Sequence, residues 1–135
     1  MKHLFKLFAV LLMVTLGEAQ AGEVVIIAHA SVGKLDAASV QRLYTGKVME
    51  VAGAHITAVN LTSGALRDRF LRRFLNQDDS KYIAYWTVRR FSGKGIPPPE
   101  VSSTVEVINF VKSTPGGIGY IDESDIKPGM NVVAR

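Results

Sequence analysis

Residues 23–29, Glu-Val-Val-Ile-Ile-Ala-His, form a short unbroken apolar run rich in β-branched side chains. Such a run has no polar face to turn to water, so it reads as a strand covered on both sides, as in a sheet sandwiched between helices. The next segments fit that demand. Asp36 is placed to cap a helix, with Leu35 stapled against Val40, with Val40, Leu43 and Tyr44 on one face and Gly46 at its end. His55 to Leu61 reads as a second strand. Leu66, Phe70, Leu71, Phe74 and Leu75 form the apolar stripe of another helix, and Arg67, Arg69, Arg72 and Arg73 fall largely on its other sides. A third helix is expected from about Asp79 to Arg90, with Tyr82, Ile83 and Trp86 inward.

Ser92 to Pro99 is a loop, because Pro97, Pro98 and Pro99 can neither continue a helix nor join a central strand. Ser103 and Glu106 have the spacing of a capping box for a fourth helix, lined by Val107, Phe110 and Val111. Thr114 to Ile121 breaks that helix and enters a strand, and Asn131 to Ala134 suits a last edge strand. Strands alternating with helices predict an α/β fold, a three-layer sandwich with a mainly parallel sheet.

The first residues are of another kind. Lys2 and Lys6 precede an apolar run from Leu7 to Leu16, too short for a stable bilayer anchor, and Ala19-Gln20-Ala21 follows. The pattern predicts a cleavable signal peptide over 1–21 and a single exported domain over 22–135, with no stable membrane insertion. With no cysteine in the chain, the domain is expected in the periplasm, held by its core without disulfides. Of the formal +4, Lys2, Lys6 and Glu18 lie in the leader, so about +3 remains, a mild bias toward anions and far from the basic tracts of nucleic-acid binders.

Catalytic and metal chemistry find little support. His29 and His55 lack the further ligands that a zinc site needs. Ser31, His29 and Asp36 make a triad only on paper, without a nucleophile elbow around Ser31. Lys94 in Ser-Gly-Lys-Gly lacks the frame of a phosphate loop. The expectation is a non-enzyme without metal or cofactor. Trp86 reads as core rather than as an exposed stacking platform. The arginine-rich helix face is either solvated or a dock for a partner or anionic surface. The turn Thr62-Ser63-Gly64-Ala65, between a strand and a helix, is either a helix cap or an anion cradle.

Four stretches together carry a resemblance: KLDAASVQRLYTGKV, ITAVNLTSGALRDRFLRRFL, FSGKGIPPPEV and INFVKSTPGGIGYI. In that order, over about Val24 to Ile121, they resemble one lobe of the phosphate-binding proteins of bacterial ABC transporters. They are more similar still to short, exported, single-lobe relatives of those proteins. The resemblance implies one lobe of the type II periplasmic binding-protein fold and an oxyanion ligand, phosphate first, delivered to an ABC transporter. In the family an arginine ends a strand and a Ser-Gly-Thr opens the next helix. Aligned on Phe70, Asn60 stands for that arginine and Gly64-Ala65-Leu66 for Ser-Gly-Thr; a shift of one brings in Ser63. The candidate anion site is therefore Asn60, Thr62, Ser63, Gly64, Ala65 and Arg67, with most of the family's side-chain donors missing and binding expected to be weak. The alternative is an interaction module that has lost its ligand and docks another envelope protein through its basic helix face or the Gly-Lys-Gly-Ile-Pro-Pro-Pro loop.

Overall fold

A computed structural model describes residues 22–135; the signal peptide expected over 1–21 lies outside the described residues. The strands are β1 (Val24–Ala28), β2 (Glu50–Val51), β3 (Ala54–His55), β4 (Thr57–Ala58), β5 (Asn60–Leu61), β6 (Glu100–Val101), β7 (Gly117–Asp122) and β8 (Asn131–Ala134). The helices are α1 (Ala37–Tyr44), α2 (Ala65–Phe70), α3 (Asp79–Phe91) and α4 (Thr104–Ser113). A π-helical turn, Leu71–Leu75, continues α2 and stops at Asn76 in the left-handed conformation.

β4 and β5 are one extended segment with two partners. Thr57 and Val59 donate to Gly116 and Ile118 on the β7 side, while Asn60 and Thr62 donate to Pro99 and Val101 on the β6 side. The sheet therefore runs β6, β4–β5, β7, β1, β8. β4 is parallel to β7 and β5 to β6, whereas β1 is antiparallel to both β7 and β8. Every strand of this sheet but β1 thus points the same way, which makes it mainly parallel in orientation. His55 does not belong to it. Ala52 and Gly53, both with positive φ, turn β2 into β3, and His55 pairs with Glu50 in that hairpin.

Each face of the sheet is covered. On one side Gly119 of β7 leaves no room for a side chain, because a Cβ there would lie 2.5 Å from Val107 Cγ1 of α4. On the other side Tyr120 stacks on Phe70 of α2 at 4.0 Å, and Tyr44 of α1 meets the same ring edge-on at 4.6 Å. β1 is buried along its whole length, as its apolar run demands.

Local signals account for most helix ends. Asp36 accepts from Ser39 N and starts α1, and Asp78 accepts from Lys81 N and starts α3. Ser103 accepts from Glu106 N as expected, but Glu106 reaches back to the N–H and hydroxyl of Ser102 rather than to Ser103, so the capping box closes one residue early. Tyr82 and Trp86 are inward, whereas Ile83 is half-exposed, contrary to expectation: it sits one position after Tyr82, about 100° round the helix and off the buried stripe.

Candidate functional site

β5 ends in the exposed turn Thr62-Ser63-Gly64, and α2 begins at Ala65. Gly64 occupies the cap position in an extended conformation, and no side chain caps the helix. The reading of Thr62 and Ser63 as caps is thus corrected. The Ser63 hydroxyl donates instead to Asp79 Oδ2 at 2.6 Å, at the start of α3.

Arg67 departs from expectation most. It is not on the solvated side of its helix but only 3% exposed. Its Nε donates to Asp79 Oδ1 at 2.8 Å, and its Nη1 donates to Glu100 Oε1 at 2.6 Å and to the Leu61 carbonyl at 3.0 Å. Its guanidinium also lies 5.2 Å from the centre of the Tyr82 ring. Burial works against the charge, but hydrogen bonding and attraction from Glu100 and Asp79 outweigh it and hold the group charged above its ordinary range. Nη2 has no hydrogen bond to the described residues. Arg67 lines a pocket of about 160 Å³ with Asn60, Tyr82, Trp86, Arg90 and Glu100.

Asn60 is buried, and both ends of its amide are hydrogen-bonded. Its Nδ2 donates to the Tyr82 hydroxyl at 3.2 Å, and its Oδ1 accepts from the Tyr120 hydroxyl and from Leu61 N. Tyr82 in turn donates to the Tyr44 carbonyl at 2.9 Å, and Tyr44 donates to the Val59 carbonyl at 2.9 Å. The six candidate residues therefore fall into two groups. Thr62, Ser63, Gly64 and Ala65 are exposed at the end of the sheet, while Asn60 and Arg67 face inward onto α3. Sequence reasoning missed Asp79 and Glu100, which set the electrostatics here. Against the one buried cation they bring two carboxylates, and Arg90, exposed on the rim of the same pocket, balances the second.

The other candidates scatter. Arg69 pairs with Asp122 at 2.8 Å and also donates to the Gly22 carbonyl, whereas Arg72 and Arg73 are exposed. His29 Nδ1 lies 2.8 Å from the Ser31 hydroxyl, and the Ser31 oxygen accepts from Gly116 N. Asp36 is occupied at the start of α1, so the paper triad does not assemble. Among the described residues no group of three or more His, Asp or Glu side chains is placed to hold a metal, and no helix is long and apolar enough to cross a membrane. Trp86 is buried, and its indole N–H donates to the Tyr44 carbonyl at 3.3 Å.

Two solved structures are similar to this chain in fold. One is described as a phosphate ABC transporter substrate-binding protein from Clostridium perfringens, with phosphate bound; it is 17% identical with a TM-score of 0.59. The other is an ABC-type phosphate transport receptor from Vibrio cholerae, 12% identical with a TM-score of 0.56. The match covers 82% of this chain but only 44% and 45% of theirs. The fold is shared with one lobe of the type II periplasmic binding proteins. No protein-family model matches the sequence, and no curated protein does either. The chain spans less than half the length of these binding proteins, so the likeness extends to the lobe and not to a closed, two-jawed receptor.

Proposed function

We propose that the chain is an exported, non-catalytic binding domain of the cell envelope, derived from a phosphate-receptor lobe, that works by docking a protein partner. The observation that carries this reading is the state of Arg67. Its Nε and Nη1 are taken by Asp79, Glu100 and the Leu61 carbonyl, and Ser63 is tied to the same Asp79. An incoming oxyanion would find only Nη2 of this guanidinium free and would have to approach past Glu100. The docking face is the rim of the triple-proline loop. Ile96 is 76% and Phe91 89% exposed there, Met49 is exposed nearby, and Lys94 supplies positive charge. Apolar side chains left in water beside a cation fit a partner surface that is apolar with an acidic margin. By this reading the leader over 1–21 is removed on export, and the domain acts in the periplasm.

A second reading has an observation of its own. The free Nη2 of Arg67 and the nearby Arg90 favour oxyanion binding in the 160 Å³ pocket, as the ligand-binding part of a phosphate ABC transporter. Calorimetric titration of the domain with phosphate separates the two. The docking reading expects affinity no tighter than about millimolar, as for a weakly shielded anion contact. Micromolar binding that is lost in Arg67→Met and weakened in Arg90→Met would overturn it in favour of the transporter reading.

A further inference from the structure

At the opposite end of the sheet from Thr62–Ala65, a second cavity lies between α4 and the ends of β1 and β8. Its volume is about 380 Å³, within the range of small-molecule sites. Ile27 and Ala28 of β1, Val111 of α4 and Met130 before β8 give it an apolar lining. The charges that line it are both cations, Lys112 and Lys127; no carboxylate does, and neither lysine has an ion pair among the described residues. Lys127 is carried by a tight turn through Pro128 and Gly129. Gly129 has φ +86°, Met130 N donates to the Lys127 carbonyl at 3.2 Å, and Lys127 N lies 3.3 Å from Met130 Sδ. That geometry limits where the lysine stem can begin.

We propose that this cavity binds a medium-chain carboxylate, with its tail on the apolar lining and its head between Lys112 and Lys127. The apolar lining selects a hydrocarbon body, and the unpaired lysines select an anionic head. A single negative charge fits better than a phosphate. The cavity sits at the C-terminal end of α4, whose last carbonyls oppose negative charge, and Lys112 in that last turn offsets them. Neither an arginine fork nor a helix N-terminus is present to hold a tetrahedral dianion there. The site is independent of the docking surface and of the Arg67 pocket.

The test is a decanoate titration of isotope-labelled protein, below the concentration at which decanoate forms micelles. Saturating chemical-shift changes centred on Ile27, Ala28, Val111 and Met130 are expected. Charge reversal at both rim positions, Lys112→Glu with Lys127→Glu, is expected to weaken binding by about tenfold or more. Lys94→Glu, on the triple-proline loop, should leave it unchanged. Decanol, which lacks the charge, and acetate, which lacks the tail, should each bind more weakly than decanoate to the unmodified protein. The assignment is overturned by shifts centred elsewhere, by no saturable binding, by decanol binding as tightly as decanoate, or by a folded double variant that binds decanoate undiminished. Inorganic phosphate shifting the same residues as strongly as decanoate would overturn the choice of a tailed carboxylate.

Discussion

Replacing Arg67 by methionine removes a cation that two carboxylates surround and leaves Asp79 and Glu100 facing each other near the core. A fully buried pair broken this way costs about 3–5 kcal/mol; because Glu100 is 49% exposed, about 2–3 kcal/mol is expected here. Glu100→Gln keeps Asp79 on the guanidinium and should cost under about 1 kcal/mol, as for an exposed pair. Urea denaturation of the two variants decides. Equal, small losses would mean that Arg67 is not the buried anchor described above. The burial of Arg67 has a signature in the sequence: Arg67, Phe70, Leu71 and Phe74 are spaced i, i+3, i+4, i+7, so the arginine shares the face of the apolar stripe. Its partners are another matter. Asp79 and Glu100 lie 12 and 33 residues away along the chain, and no local pattern links an arginine to carboxylates at such separations.

The close approach of α4 to β7 depends on Gly119. A methyl there would meet Val107 Cγ1 at 2.5 Å and Val59 Cγ1 at 3.0 Å, so helix and strand must part or the valines must shift. Gly119→Ala is expected to cost about 1–3 kcal/mol, the range for overpacking a core. Adding Val107→Ala should recover part of that loss, because the two changes share one space. Strictly additive losses in denaturant melts would show that the crowding lies elsewhere. Elements whose identity depends on neighbours in the chain were legible in this way: Asp36 as a cap, the third helix through Trp86, the triple-proline loop and the entry to β7. The direction of β1 was not, since an apolar run reads the same whichever way its partners point. The π-helical turn at Leu71–Leu75 was equally hidden, because it follows from packing rather than from propensity. The candidate site was legible only as a stretch of backbone. Its residues were found, but side-chain directions set by α3 and β6 split them into two groups.

Across the whole molecule, three tyrosine hydroxyls join α1, α3, β5 and β7 through buried hydrogen bonds. Burial pushes the Tyr44 and Tyr120 hydroxyls well above their ordinary value and pushes Tyr82 up to about 12. A raised folded-state value for an acid means that the unfolded chain loses protons first as pH rises. The stability these groups contribute is therefore complete below about pH 10, the ordinary tyrosine value, and falls as pH rises from there toward 12 and beyond. Denaturant midpoints at stepped alkaline pH should hold up to about 10 and then decline. Tyrosinate absorbance from the three buried rings should appear together with the loss of circular dichroism. Ionisation of those rings in a still-folded protein would contradict the network. At this scale the resemblance in the sequence proved informative, because it rested on the order of four separated stretches rather than on any one of them.

β1, the first strand of the described chain, lies between β7 and β8, the last two. Its hydrogen-bonding edges stay vacant until β7 and β8 are available. A growing chain can collect helices, yet it has no partners for β1 until residues 117–134 have been added. The sheet closes only when those residues arrive, so the pairings that lock the fold are long-range and late.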